Sequence, residues 1–480
     1  MQEHDVNVAI IGAGTAGLSA YQAARECTDD VVLIEGGPGG TTCARVGCMP
    51  SKLLIAAAEA AATVRNSEIF GINVTEARTD GRRVMRRLHS ERDRFVESVY
   101  DYVNEIPSEA RLQGMARFES PCLLRVGEQH RVNAKRIVIA TGSHPVVPDQ
   151  LSNAGARLLL SKDLFELDDL PESVAVFGAG PMGLELGQAL HRLGVHVAIF
   201  GKGGSLGGIA SETLRDYAQR CFSDSFYLDT DAQVHRIAEH NGRVSIQYEH
   251  RDEGSVTQQF DYLLSATGRA PNLDGLDLHN TGLRLDERGL PQTDPTTLQC
   301  GSSHIFMVGD VNGISPVLHE ASQEGRIAGR NAALYPDINA VERMVALSIV
   351  FSDPQIVSIG EIAKFESACH ENRYAVGSAS FEDQGRSRVL ARNRGLLRVY
   401  GERDTGVFKG AEMFGPAAEH IAHLLAWAAQ QQMTVAQMLA MPFYHPVIEE
   451  GLRTALKDLR QQLGGRSAPA HGCSENGPGA

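Results

Sequence analysis

The apolar positions of this chain gather into short runs that end in glycine, and the same arrangement occurs twice. Residues 6–11, "VNVAII", read as a buried strand, and residues 18–24 read as a helix, with Gly12, Gly14 and Gly17 between them. The next apolar run, "DVVLIE", ends on Glu35. Residues 174–177 repeat the strand, Gly178, Gly180 and Gly183 repeat the glycines, and "VHVAIF" at 195–200 repeats the second strand. "RIVIATGS" (136–143) and "YLLSATGRAPN" (262–272) are a second repeated pair, each an apolar strand running into Ala-Thr-Gly. "HIFMVGDV" (304–311) sets Gly309 and Asp310 at a strand end. "PSKLLIAAAEAAATV" reads as a helix with Pro50 in its first turn. Residues 82–103 carry six arginines by position 94, interleaved with Glu91 and Asp93. They read as a solvated amphipathic helix, with a docking face for an acidic partner as the alternative. Residues 417–432 have helical apolar spacing, which places them in core or interface with Trp427 as packing. Residues 396–415 read as antiparallel strands with turns. The last stretch, "GGRSAPAHGCSENGPGA", is small and polar and is expected to be disordered.

Each part of the first glycine segment has a mechanical task. Gly12 permits the tight turn, Gly14 lets backbone approach a pyrophosphate, and Gly17 lets helix and strand pack closely. The helix N-terminus offers N–H groups and partial positive charge, and Glu35 can accept from a ribose hydroxyl. The second cradle departs from the rule, because Gly201-Lys202 stands where an acid would favour NAD and a base NADP. That leaves the nucleotide preference open. Two dinucleotide cradles in one chain point to electron transfer between a tightly held flavin and a transient nicotinamide. The strand-ending Asp310 suits a flavin's polyol hydroxyls.

Composition narrows the classes. A chain of 480 residues is too long for one ordinary core, and three or so domains are expected. The formal net charge of -14 argues against nucleic acid as the main partner. No apolar run approaches the roughly 18 residues of a membrane span, and the acidic start Met1-Gln2-Glu3-His4-Asp5 is unlike a signal peptide. A cytoplasmic protein is expected. Six of the eight cysteines are scattered singly, which is unlike a secreted disulfide framework.

Cys43 and Cys48 form the remaining pair. A zinc site wants a second pair of ligands, and none lies nearby in sequence. Inert core thiols are the plain alternative. A bridge across regular helix is excluded, because five residues rise about 7.5 Å and turn about 140° past the first face. Any bridge requires a distorted segment, and Gly47 offers the freedom. Cys48 falls at or near the start of the next helix, where a thiolate is stabilised, and Cys43 lies further out, placed to meet substrate. Lys52, one turn on, is either a surface lysine or a cation beside a flavin ring paired with Glu185.

These motifs together resemble the flavoprotein disulfide reductases over roughly residues 5–462. The resemblance rests on both G-x-G-x-x-G segments, C-x4-C followed by P-S-K, Glu185, A-T-G-R-x-P-N, Gly309-Asp310 and the C-terminal "HPVIEE" with His445, Pro446 and Glu450. It implies an α/β fold with two Rossmann-like dinucleotide-binding domains, for FAD and NAD(P), and a C-terminal α+β dimerisation domain. The implied division is FAD domain 1–150, nucleotide domain 151–270, central or second FAD part 271–342, interface domain 343–463 and tail 464–480. Implied FAD contacts are Gly12, Gly14, Gly17, Glu35, Lys52, Ala116, Thr141, Gly142 and Asp310. Those on the nucleotide side are Gly178, Gly180, Gly183, Glu185 and Gly268. The resemblance also implies a homodimer in which His445, oriented by Glu450, works beside the partner's Cys43.

The implied activity is oxidation of a dithiol, dihydrolipoamide first, with electrons passing through the Cys43–Cys48 disulfide and FAD to NAD+. The substrate would be a small molecule or a lipoyl group on a separate protein. The alternatives are an NADPH-dependent reductase of a glutathione-like disulfide, and a flavin-bearing regulatory subunit whose chemistry is lost. A mercuric-ion reductase would want an extra C-terminal cysteine pair, where only Cys473 stands. Thr41 replaces a usual glycine and Arg45 a usual asparagine, both expected to act on substrate access or thiolate pKa. Pro181 replaces a larger gate residue.

Overall fold

The computed structural model describes residues 1–76 and 78–464. The expected disorder of the tail and the question of Cys473 lie outside these residues.

The first apolar run becomes β1 (Gln2–Ile11), followed by α1 (Thr15–Arg25) and β2 (Val31–Glu35). β1 pairs in parallel with β2, Val8 facing Val31, and with the strand His130–Ile139 on its other side. Strand Ile305–Met307 adds in parallel to His130–Ile139, so this seven-stranded sheet takes a strand from far along the chain. Both faces are covered at the C-terminal ends of the central strands, which are apolar there: Val8, Ile10 and Val138 pack on one side, Ala9, Ile137 and Ile139 on the other.

Helix Leu318–Leu334 lies across α1 at very short range. A Cβ at Gly325 or Gly329 would stand 2.2 Å from the carbonyl oxygens of Ala16 and Ala20. Those glycines fix the distance between the helices, and so the position of Gly309–Asn312 relative to the start of α1.

The second glycine segment joins Ser173–Phe177 to helix Pro181–Arg192 in an all-parallel five-stranded sheet. A three-stranded antiparallel sheet, Val234–His240, Arg243–His250 and Gly254–Phe260, packs beside it. Residues 347–415 build a five-stranded antiparallel sheet, including the expected pair Leu396–Glu402 and Phe408–Gly415.

Of core and interface, the structure leaves interface for Trp427, whose residue is 66% exposed. Helix Ala418–Gln430 buries Ile421, Ala422 and Leu425, while Leu424 and Trp427 share the opposite face. Helix Gly81–Asn104 is amphipathic and largely solvated as expected, with Met85 and Leu88 on its buried face, but Arg92 is also buried and ion-paired with Asp93 and Glu166. Among the described residues no helix is long and apolar enough to cross a membrane, and no cluster of three or more His, Cys, Asp or Glu side chains could hold a metal ion.

Glu412 ties the C-terminal sheet to the loop that precedes helix Glu212–Ser223. Its buried carboxylate accepts from Ala210 N (2.8 Å) and Ser211 N (2.9 Å), just before helix Glu212–Ser223, whose start has no side-chain cap of its own. Burial pushes the carboxyl up to about 7. An acid whose folded pKa is raised contributes stability below its unfolded value of 4.5 and loses it as pH rises through about 7. Relative to Glu412→Gln, wild type is therefore expected to lose on the order of 3 kcal/mol across that interval. Unfolding midpoints of both proteins between pH 5 and 8 check this, and a constant gap between them contradicts it.

Candidate active site

The cysteine segment folds as two helices broken at one residue. α2 (Thr42–Val46) is capped by Thr41, whose hydroxyl accepts from Ala44 N, and α3 (Cys48–Arg65) begins directly after Gly47. A Cβ at Gly47 would lie 3.0 Å from Thr42 O and 3.2 Å from the Cys43 Cα, so the break folds the start of α3 back on the start of α2. The required distortion is present, and it brings the two thiols into hydrogen-bond contact. Pro50 is the third residue of α3, inside its first turn.

The two thiols are unequal. The hydrogen bond from Cys43 lowers the Cys48 thiol to about 7, and the Lys52 ammonium adds to this against burial. Cys43, donating that bond and desolvated, is pushed up. Lys52 is fixed in place: its Nζ is 2.7 Å from Glu185 Oε2 and 4.5 Å from the Phe351 ring centre, while Glu185 Oε1 accepts from Phe351 N at 2.9 Å. The expected Lys52–Glu185 pair is thus formed.

Two cavities, of about 310 and 420 Å³, share Gly14, Thr42, Ala140 and Gly142 and so make one long trough. One end holds Cys43, Cys48, Lys52, Glu185 and Asp310. The other holds Gly12, Glu35, Ala116 and Thr141. The uncapped start of α1 lies between. A Cβ at Gly12 would fall 2.4 Å from Ala140 O and one at Gly17 1.8 Å from Gly12 O, whereas Gly14 meets nothing and faces open space. The second cradle repeats this: Gly178 approaches Ala266 O, Gly183 approaches Gly178 O, and Gly180 is open. Both loops therefore have the shape that close approach of a dinucleotide backbone requires. Glu35 already accepts from Ala13 N (2.8 Å) and Gly37 N (2.6 Å), which fixes its carboxylate at the rim.

Gly201 explains the absent acid of the second cradle. A Cβ there would lie 2.7 Å from Thr230 O, so no side chain fits. Gly268 lines neither end of the trough and instead accepts from Val146 N through its carbonyl. Pro181, first residue of its helix, lines the cysteine end.

Residues that sequence reasoning passed over complete the site. Arg269 lines the cysteine end and donates to Ser143 Oγ at 2.8 Å, while Ser143 donates to Asp310 Oδ2 at 2.6 Å. Its signal was available, since it follows the second Ala-Thr-Gly directly. Glu324 accepts from Gly309 N and Asn312 Nδ2, holding the Asp310 turn, and Arg343 pairs with it at 2.8 Å.

A third cavity, of about 440 Å³, opens against Cys43 from the other side and does not touch Cys48. Its walls are Leu18, Met49, Phe95, Val99, Tyr102 and Leu318, with Thr15, Ser19, Gln22, Thr41 and Ser98 as polar lining. No Lys, Arg, His, Asp or Glu lines it. Thr41, which borders this cavity, has φ of 52°, a conformation that disfavours β-branched residues and suits the glycine it replaces.

Arg45 is not placed as expected. It lines the Glu35 end of the trough rather than the cavity outside Cys43, and Lys52, not Arg45, is the cation among the largest causes of either thiol's shift. His445 lines none of these cavities in its own chain. Its Nδ1 is 2.9 Å from Glu450 Oε1, its side chain is 62% exposed, and Glu450 is braced by Val447 N.

Residues 6–325 match the family model of the pyridine nucleotide-disulphide oxidoreductases, and residues 347–456 match that family's dimerisation domain. The chain is 31% identical over 451 residues to a dihydrolipoyl dehydrogenase of Geobacillus stearothermophilus, covering 92% of this chain and 93% of that one. It is 30% identical over 481 residues to dihydrolipoyl dehydrogenase 3 of Pseudomonas aeruginosa, covering 96% and 98%. Its fold is similar to that of the HOCl-induced flavoprotein disulfide reductase RclA from Escherichia coli, with a TM-score of 0.79 at 23% identity over 95% of this chain and 99% of that chain. The chain belongs to the pyridine nucleotide-disulphide oxidoreductases, flavin-dependent enzymes that use FAD and a pyridine nucleotide.

Proposed function

We propose that this enzyme oxidises dihydrolipoamide with NAD+, cycling a Cys43–Cys48 disulfide. The observation that carries this substrate choice is the apolar, charge-free cavity at Cys43. A slender dithiol with a neutral amide tail can be buried there without stranding a charge. A glutathione-like disulfide carries several carboxylates, which would find no cation to receive them. The choice of NAD+ rests on the family resemblance alone, since neither Gly201 nor Lys202 decides it.

The trough fits FAD. Gly12, Gly14, Glu35, Ala116, Thr141, Gly142 and Asp310 would hold it, with Lys52 at its ring end. Gly178, Gly180, Gly183 and Glu185 would position the pyridine nucleotide, with Gly268 nearby. Bound FAD and NAD+ supply the two-electron chemistry that returns the reduced cysteines to the disulfide.

The protein's own steps are thiol exchange. A substrate thiol gives its proton to Nε2 of His445 of the partner subunit, whose other nitrogen is held by Glu450. The substrate thiolate attacks the sulfur of Cys43, the Cys43–Cys48 bond breaks, and Cys48 departs as thiolate. The Lys52 ammonium, which favours the Cys48 thiolate, assists its departure. The second substrate thiol then attacks the mixed disulfide, releasing cyclic oxidised substrate and Cys43. Residues 1–150 with 271–342 would carry the flavin, 151–270 the nucleotide and 343–463 the dimer contact.

Steady-state rates test this choice. Dihydrolipoamide with NAD+ is expected to exceed oxidised glutathione with NADPH by about 100-fold or more in kcat/KM, the margin expected where a site must leave charged groups unpaired. The reverse order overturns it.

A further inference from the structure

We infer that Arg45 is a binding residue for the diphosphate of FAD, a role that the asparagine usual at this position cannot fill by charge. The inference rests on the flavin reading above.

The geometry of α2 decides which way Arg45 faces. Thr41, Thr42 and Arg45 are spaced three and four apart, so they share one helix face, while Cys43 and Val46 share another. Thr41 and Arg45 line the Glu35 end of the trough and not the redox end, Cys43 and Val46 line the redox end and not the Glu35 end, and Thr42 borders both. Arg45 is thereby turned away from the thiols beside it in sequence.

Its charge is unanswered. The Nε of Arg45 is buried without a hydrogen-bond partner, and among the described residues no carboxylate forms an ion pair with its guanidinium. A buried, unpaired guanidinium edge is costly unless a ligand supplies the acceptor. The same cavity contains Gly12, Ala13 and Gly14 at the uncapped start of α1, where backbone N–H groups favour an anion. Its other charged lining groups, Glu35 and Asp274, are acidic. No other Lys or Arg lines that end, so Arg45 is the one cation there to meet a doubly charged diphosphate. Guanidinium suits this task through paired N–H donors.

The rate of flavin release from the holoenzyme tests the assignment, followed by flavin fluorescence on dilution. Arg45→Met is expected to weaken FAD retention by about 10- to 100-fold, the range for losing hydrogen bonds to a charged group. Arg45→Lys is expected to recover part of this. Raising salt should speed release from wild type and have less effect on Arg45→Met. ADP and adenosine, used as competitors for FAD rebinding to flavin-free protein, locate the contact. ADP should weaken in Arg45→Met while adenosine does not. Equal FAD retention in wild type and Arg45→Met overturns the inference, as does equal weakening of ADP and adenosine. If Arg45→Met fails to fold, Arg45→Lys and the wild-type salt dependence decide. Wild-type protein that binds no FAD would instead overturn the flavin reading itself.

Discussion

Cys48→Ser is expected to abolish dihydrolipoamide oxidation, lowering kcat by roughly a thousandfold or more, while FAD content stays at the wild-type level. The reason is bond counting. Serine cannot form the disulfide that accepts the substrate's electrons, so no step after substrate binding can begin. The side chain at 48 borders the trough only at its cysteine end, away from the glycines and Glu35 proposed to hold the diphosphate and ribose. The rival reading, a flavin-bearing regulatory subunit without chemistry, makes the opposite forecast: function unaffected by the serine. Anaerobic and steady-state assays of the purified variant, with flavin content measured in parallel, separate the two. Cys43→Ser should also fail, for a different reason, since it removes the sulfur that the substrate attacks.

His445→Gln is expected to lower kcat/KM by about 10²- to 10⁴-fold, the usual range for removing a general base. Glutamine keeps a hydrogen bond to Glu450 but cannot take a proton. Position makes this variant informative beyond its size of effect. His445 stands outside the cavities at Cys43 in its own chain, exposed and braced by Glu450. If the site is completed by a second subunit, Cys43→Ser and His445→Gln protomers should rescue each other when mixed as heterodimers, because each such dimer holds one intact site. A mixture as inactive as its components would contradict a site shared between two subunits.

Much of the site can be read along the chain, because it is built from local rules. The glycine spacings specify close approaches that the folded chain makes in both cradles, at Gly12 and Gly17 and again at Gly178 and Gly183. Gly47 between two cysteines already implied a broken helix. The pair Lys52–Glu185 could be named because its opposite charges seek one another, and the pair His445–Glu450 through the resemblance carried by "HPVIEE". What stayed hidden depends on faces and distant neighbours. Which way Arg45 turns is set by a helix of only five residues, whose bounds no periodicity could give. Gly201 looks like a lost acid until Thr230 is seen against it. Glu412 gives no local sign that it caps a helix start two hundred residues away, and Trp427 looks like core until the helix phase is known.

The absorbance of the oxidised enzyme after anaerobic addition of one equivalent of dihydrolipoamide tests the central claim most directly, that Cys43 and Cys48 exchange with substrate and leave the Cys48 thiolate against the flavin. The lowered pKa of Cys48 makes thiolate its main form above about pH 7. A long-wavelength band from that thiolate is expected above pH 7, fading as pH falls through about 7 and missing from Cys48→Ser. No such band at any pH above 7, or the same band in Cys48→Ser, would contradict the account.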